Sequence, residues 1–183
     1  YSGLPRWVNN ATRQFPQWKV AMSERRCMLD DTVAEASHVM FGEIGTWLVH
    51  HGLSLINLWN IALDEKGLPS YAGTSGRRGV ITIDSATGGV KRNLEYFMLR
   101  NFGQDVPVGA WRIGSTSRTV DGRGGSVGSV AFGHADGGLT AILYNPRQTD
   151  VDVALAVNGC GARWQTVTAV PYTHLRAPRP GRK

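Results

Sequence analysis

The sequence predicts a mixed fold in which a parallel α/β segment is followed by an antiparallel all-β segment. Residues 19–59 read as strand, helix and strand with short connections, the order found in a parallel α/β sheet or barrel. After a linker-like Val-Pro-Val-Gly at 106–109, the chain instead shows short alternating segments separated by Gly, Asp and Asn turns. That pattern is typical of an antiparallel sandwich or small barrel. We therefore place a domain boundary near residue 106.

The α/β segment contains two predicted strands with a helix between them. Residues 19–22 and 53–59 are apolar runs of strand length, which suit parallel strands covered on both faces. Thr32, with Glu35 three residues later, matches a helix capping box. Apolar side chains then recur at helical spacing until Gly52, which is typical of a C-cap.

The later elements are shorter. Residues 61–78 read as a long loop, 79–84 as a short strand and 93–102 as a helix. The predicted strands of the second segment are 111–115, 129–132, 139–144, 151–157 and 163–170. Residues 171–183 lack the apolar alternation of a final strand, and Pro178 and Pro180 disfavour a sheet ladder there. We expect this end to be a disordered basic tail or a non-native sequence.

Composition excludes several classes of protein. The 183 residues are 42% hydrophobic, which is enough for a core, and no apolar run is long enough to span a membrane. The net charge is +6, but residues 171–183 hold four basic and no acidic residues, so the rest carries only +2. We therefore expect no nucleic-acid partner. The two cysteines, Cys27 and Cys160, are far apart; isolated thiols are favoured over one long-range bridge.

Polar and aromatic residues follow the two predicted strands of the α/β segment. In parallel folds the carboxyl ends of strands are where ligands bind. Glu24 ends the first strand and is either an exposed loop glutamate or a catalytic carboxylate. Trp59 ends the second, where it is either a core plug or a platform for sugar stacking, and Asn60 beside it offers an amide for hydroxyls.

The sequence predicts no metal or cofactor. Glu35 and His38 have the Glu-x-x-His spacing of di-iron bundles, but the other carboxylate helices of such bundles are missing. No cluster of His and Cys has zinc spacing. Residues 122–125 are rich in glycine but lack the ending of a phosphate-binding loop, so a sandwich hairpin is the better interpretation.

Taken together, several segments resemble glycoside hydrolase family 30, the glucosylceramidase-like β-glycosidases. Residues 15–24, Phe-Pro-Gln-Trp-Lys-Val-Ala-Met-Ser-Glu, are similar to the seventh barrel strand of the family, and residues 58–69 to the eighth strand and its loop. The other matching segments are 79–84, 95–97, 107–115, 136–139 and 143–146. The resemblance covers about residues 1–170 and departs from the family pattern at 100–105 and after 170.

This resemblance implies a fold and a domain plan. Residues 1–106 would be the C-terminal part of a (β/α)8 TIM barrel that contains strands seven and eight. Residues 107–170 would be an antiparallel β-sandwich side domain, and 171–183 the tail described above. The family is secreted in many cases, so we expect an extracellular full-length protein whose signal region is not in this chain.

The resemblance also implies a retaining β-glycosidase mechanism without cofactor or metal. Glu24 would be the nucleophile, while Trp59, Asn60 and Tyr1 would bind substrate. The acid/base glutamate would lie on the fourth barrel strand, before Tyr1, so we expect the chain alone to be inactive. The substrate would be a carbohydrate or glycolipid with a glucosylceramide-like, β-1,6-glucan or β-xyloside linkage. The alternative is a non-catalytic carbohydrate-binding or interaction module built on the sandwich, and the sequence leaves the oligomeric state open.

Overall fold

A computed structural model describes residues 4–71, 73, 76–116, 127–155, 165–169 and 174–176 of the chain. The chain divides into two compact units, Tyr1–Arg100 and Asn101–Lys183. The division falls inside a helix, a few residues before the boundary placed by the sequence near residue 106.

Small sheets and short helices make up the first unit. The helices are α1 (Leu4–Gln14), α2 (Val33–Ser37), a π-helical segment (His38–Leu48) and α3 (Leu94–Asp105), whose end lies in the second unit. The strands are β1 (Val20–Arg25), β2 (Cys27–Met28), β3 (Leu53–Leu58), β4 (Ala62–Asp64), β5 (Arg77–Arg78), β6 (Ile81–Ile83) and β7 (Val90–Arg92).

The predicted strand–helix–strand order is confirmed, because β1 and β3 pair in parallel with helical residues between them. The capping box is also present. Thr32 Oγ1 accepts the Glu35 backbone N–H at 3.2 Å, and Glu35 Oε2 accepts the Thr32 N–H at 2.9 Å. These two reciprocal hydrogen bonds satisfy backbone N–H groups that have no partner within the first turn of a helix.

The predicted regular helix after Thr32 is only partly correct. After α2 the chain continues as a π-helical segment, in which Met40, Phe41 and Ile44 are almost fully buried. Gly42 and Gly45 fall within this segment, and glycine has little preference for the α conformation. The apolar spacing therefore identified the buried face but not the wider helical turn.

The long loop expected over 61–78 contains paired strands. β4 pairs in parallel with β6, and β6 pairs antiparallel with β7, while β5 pairs antiparallel with β2. Each of these strands has only two or three residues, and the pairs β4–β6 and β2–β5 join segments far apart in the sequence. Local pattern in the sequence does not reveal such pairings.

Antiparallel strands form the second unit, as predicted. These are β8 (Trp111–Ile113), β9 (Gly128–Gly133), β10 (Leu139–Tyr144), β11 (Val151–Leu155), β12 (Gln165–Ala169) and β13 (His174–Arg176). One sheet has the order β13–β10–β9–β8, and β11 pairs with β12. Leu143 from the first sheet and Val151 and Val153 from the second are buried in one cluster with Val127.

The expectation of a disordered tail over 171–183 does not hold for three residues, and the alternative of a non-native sequence there stays a prediction. His174, Leu175 and Arg176 pair antiparallel with Tyr144, Leu143 and Ile142. These three residues include no proline, so all of them retain the N–H that a ladder needs. The rest of 171–183 lies outside the described residues, as does Cys160.

None of the helices within the described ranges is long and apolar enough to cross a membrane.

A buried ion pair fixes the interior of the first unit. Arg78 Nε donates to Glu95 Oε1 at 3.1 Å, and the Glu95 side chain is 2% exposed. Cys27, which is 1% exposed, is in register with Arg78 in the β2–β5 ladder. Burial, followed by the charge of Glu95 and hydrogen bonding to it, raises the pKa of the Cys27 thiol far above its usual range.

Removal of one partner from this ion pair is expected to destabilise the protein strongly. Glu95→Ala leaves the Arg78 cation buried without its counter-charge, which costs about 3–5 kcal/mol. The matched control is Glu43→Ala, which removes the carboxylate of the more exposed Arg25–Glu43 pair and costs about 1 kcal/mol or less. Urea unfolding of both variants measures the difference, and equal losses would contradict this account.

Alkaline pH is expected to weaken the fold through Cys27. The folded-state pKa is raised above the ordinary value of 9.0, so the neutral buried thiol stabilises the fold fully below that pH. As the pH rises further, the unfolded chain loses the thiol proton first, and stability declines by up to about 1.4 kcal/mol per pH unit. Unfolding free energies from pH 7 to 10.5 should show a shallower decline in Cys27→Ala. Cys160→Ala is the control, and identical slopes in wild type and Cys27→Ala would refute the assignment.

Candidate active site

The ends of β1 and β3 lie side by side. Arg25 is in register with Leu58, and the Trp59 N–H donates to the Arg25 carbonyl at 2.7 Å, which extends the ladder by one residue. Glu24 and Trp59 are therefore placed on neighbouring strands at the carboxyl edge of the parallel pair. Parallel folds bind their ligands at this edge.

An irregularity in β1 coincides with Glu24. Met22 is in register with Ile56 and Arg25 with Leu58, so Ser23 and Glu24 together oppose a single residue, Asn57. This two-against-one count is that of a β-bulge, a feature that redirects a side chain and is enriched beside active sites. The strand thus departs from regular pairing at the residue that the sequence singles out.

Glu24 lines an open pocket of about 320 Å³. Its side chain is 37% exposed, and Oε1 lies 3.6 Å from Arg26 Nη1. The neighbouring Arg25 is engaged elsewhere, because its Nη2 donates to Glu43 Oε2 at 2.7 Å. Arg26 is therefore the cation beside Glu24, and the carboxylate remains accessible to a molecule in the pocket. The other residues of the pocket wall are Met28, Asp31 and Val39.

Trp59 and Asn60 continue the same edge. The Trp59 side chain is partly exposed, and the Arg77 guanidinium carbon lies 4.8 Å from the centre of its ring. Asn60 has a φ of 55°, a left-handed conformation that asparagine tolerates better than most residues, and its carbonyl accepts the Val80 N–H. Its side chain is exposed. Tyr1, the other expected substrate-binding residue, lies outside the described residues.

Other glutamates of the first unit have structural partners. Glu35 belongs to the capping box, and hydrogen bonds from Thr32 lower its pKa. Glu65 accepts from the Ser85 hydroxyl and N–H, which lower its pKa. Glu43 pairs with Arg25, and Glu95 with Arg78. A general acid needs a pKa held up near the working pH, so the lowered values argue against Glu35 and Glu65 in that role.

Within the described ranges, no group of three or more His, Cys, Asp or Glu side chains is placed to hold a metal ion. The Glu-x-x-His spacing of Glu35 and His38 does not form a pair, because Glu35 caps α2 and His38 Nε2 lies 3.8 Å from Glu43 Oε1.

Sequence reasoning missed the cationic part of this region. Arg26 lies beside Glu24, Arg77 lies over Trp59, and Arg78 anchors the strand that carries Arg77. The signal in the sequence was the pair Arg77-Arg78 in an otherwise uncharged stretch of the loop. Its meaning depends on the pairing of β5 with β2, which joins residues about 50 positions apart.

No protein-family model matches the chain. Two curated proteins are similar to it in sequence. The endo-1,6-beta-D-glucanase neg1 of Aspergillus fumigatus is 29% identical over 133 residues, which cover 71% of this chain. The endo-1,6-beta-D-glucanase BGN16.3 of Trichoderma harzianum is 29% identical over 160 residues, which cover 86%. The matches span 25% and 31% of those two proteins, so the chain corresponds to a quarter to a third of their length.

Two solved structures share the fold. SrfJ from Salmonella typhimurium superposes with a TM-score of 0.78 at 19% identity, covering 92% of this chain and 36% of SrfJ. The endo-beta1,6-glucanase BT3312 superposes with a TM-score of 0.75 at 18% identity, covering 93% of this chain and 37% of that protein.

Proposed function

We propose that this chain is part of a glycoside hydrolase that cleaves β-glucan, with Glu24 as the nucleophile. The observation that carries the proposal is the bulged end of β1, where the accessible Glu24 carboxylate lines a pocket at the carboxyl edge that β1 shares with the strand leading to Trp59. The similarity to two proteins named endo-1,6-beta-D-glucanase supports it independently and favours a β-1,6-glucan over a glucosylceramide-like or β-xyloside substrate.

The proposed reaction proceeds in two displacements. A Glu24 oxygen attacks the anomeric carbon while the glycosidic C–O bond breaks, and the departing oxygen takes a proton from a second carboxylic acid. Water then gives a proton to that second carboxylate and attacks the anomeric carbon, which releases Glu24 and returns the acid to its starting state. Two inversions give a product with retained configuration. Arg26 Nη1 lies 3.6 Å from Glu24 Oε1 and places a positive charge beside the attacking carboxylate.

The second carboxylate is proposed to come from outside this chain. Retaining enzymes hold the two carboxyl groups about 5–5.5 Å apart, and the glutamates at positions 35, 43, 65 and 95 are committed to the partners described above. The chain corresponds to no more than a third of its curated relatives. We therefore propose that it is inactive alone and acts within a longer protein of glycoside hydrolase family 30.

The proposed architecture follows from the same resemblance. The first unit would complete a (β/α)8 barrel, with β1 and β3 as its seventh and eighth strands, and the second unit would be the β-sandwich side domain. The proposed partner is a carbohydrate, and the proposed location is extracellular, as suits an enzyme that degrades a polysaccharide. The alternative function, a carbohydrate-binding module without catalysis, requires neither Glu24 nor a second carboxylate.

Substitution of Glu24 is expected to abolish turnover in the full-length protein that carries this chain. Glu24→Gln removes the attacking oxyanion while conserving shape, so kcat on β-1,6-glucan should fall by about 1,000-fold or more. The measurements are the release of reducing ends and the anomeric configuration of the first product by proton NMR, which should be β.

Glu43→Gln is the matched control, since Glu43 is similarly exposed but pairs with Arg25, and it should retain activity within a few-fold. The 183-residue chain alone should release no sugar. Unchanged turnover in Glu24→Gln, a first product of α configuration, or activity of the isolated chain would each contradict the proposal. Glucan binding by the wild type without any turnover would favour the binding-module alternative.

A further inference from the structure

We infer that Arg77 is a substrate-binding residue that acts together with Trp59 to recognise the hydroxyl groups of a neutral glucan chain. This inference rests on the proposed function and adds a residue that determines affinity. It is carried by the position of the guanidinium over an indole ring at the same strand edge as Glu24.

The backbone of Arg77 is held from two sides. In the β2–β5 ladder Arg77 is in register with Met28, and the Leu29 N–H donates to the Gly76 carbonyl at 2.9 Å. On the other side the β4 loop approaches so closely that a Cβ on Gly67 would stand 2.6 Å from the Arg77 carbonyl oxygen. The position of Arg77 is therefore set by the fold around it.

Strand geometry sends the two adjacent arginines to opposite faces. Successive side chains of a strand point in opposite directions, and Arg78 points into the core, where it pairs with Glu95 at 3.1 Å. Arg77 consequently points away from that core, and its guanidinium lies over Trp59. The buried ion pair thus orients the residue next to it.

The charge of Arg77 is not neutralised within the described part of the chain, where no carboxylate lies within ion-pair distance of it. Stacking on Trp59 uses the face of the guanidinium and leaves its in-plane N–H donors available. A sugar packs its C–H face on an aromatic ring and offers hydroxyls at its rim. The guanidinium covers one face of a partly exposed indole, so a glucose unit that packs on the exposed part of the ring would present its rim hydroxyls to the in-plane donors.

The experiment measures binding separately from turnover. In the full-length protein, the affinity for β-1,6-linked gluco-oligosaccharides is determined by calorimetry in a Glu24→Gln background, and KM and kcat are determined with Glu24 intact. Arg77→Leu should weaken binding and raise KM by about 10-fold, as expected for a lost charge-assisted hydrogen bond. It should change kcat by less than about 3-fold, because the inferred contact is with substrate hydroxyls and not with the reacting atoms. Arg77→Lys keeps the charge but loses the planar arrangement of donors. Its Kd and KM should therefore lie between those of the wild type and those of Arg77→Leu.

The matched control is Arg92→Leu, which removes a second guanidinium stacked on an aromatic ring, 5.1 Å from the centre of Tyr96 rather than over Trp59. It should leave Kd and KM unchanged. Wild-type affinity in Arg77→Leu, or equal losses in Arg77→Leu and Arg92→Leu, would overturn the inference, as would a higher KM in Arg77→Leu that Arg77→Lys does not partly restore. If Glu24→Gln retains turnover, the proposed function fails, while the comparison of affinities still decides the role of Arg77.

Discussion

The parallel ladder between β1 and β3 is the contact on which the rest of the first unit depends. It joins residues 20–25 to residues 53–58, and its last bond, from Trp59 to Arg25, aligns the carboxyl ends of both strands. Without that alignment Glu24 and Trp59 would belong to unrelated loops. The bulge at Ser23 and Glu24 lies between the paired residues Met22 and Arg25, so the strands remain paired on both sides of it while the carboxylate reaches the pocket.

A second, smaller constraint organises the chain just beyond that edge. β2 begins three positions after Glu24 and pairs with β5, so the segment after the nucleophile candidate is tied to the segment after Trp59. The Arg78–Glu95 pair lies at this junction. A buried ion pair adds little net stability compared with apolar packing, but breaking it is costly. Its effect here is positional, since it defines which face of β5 is buried and leaves Arg77 over Trp59.

Much of the local structure of the first unit follows from the sequence, and its long-range pairing does not. The capping box of Thr32 and Glu35 depends on contacts within a few residues, and the apolar runs around Met22 and Leu55 are visible in the sequence without knowledge of their pairing. The π-helical turn around Gly42 and the two-residue strand at Arg77 depend on packing and on partners far along the chain. The same holds for β13, whose three residues carry no strand pattern of their own and are ordered by pairing with β10.

The residues of the candidate site likewise differ in whether local sequence or only the tertiary structure identifies them. Glu24, Trp59 and Asn60 were identifiable because each follows an apolar run of strand length, and parallel folds place their chemistry there. Arg26 and Arg77 were not, because an arginine in a loop is usually solvated and only the tertiary structure shows what it faces.

The central claim, that Glu24 forms a bond to the sugar, is tested most directly by trapping the covalent intermediate. The full-length protein would be incubated with a 2-deoxy-2-fluoro-β-glucosyl fluoride and analysed by peptide mass spectrometry. The account predicts one fluoroglucosyl group per molecule, located on Glu24 and absent from Glu24→Gln; a label on any other residue would contradict it.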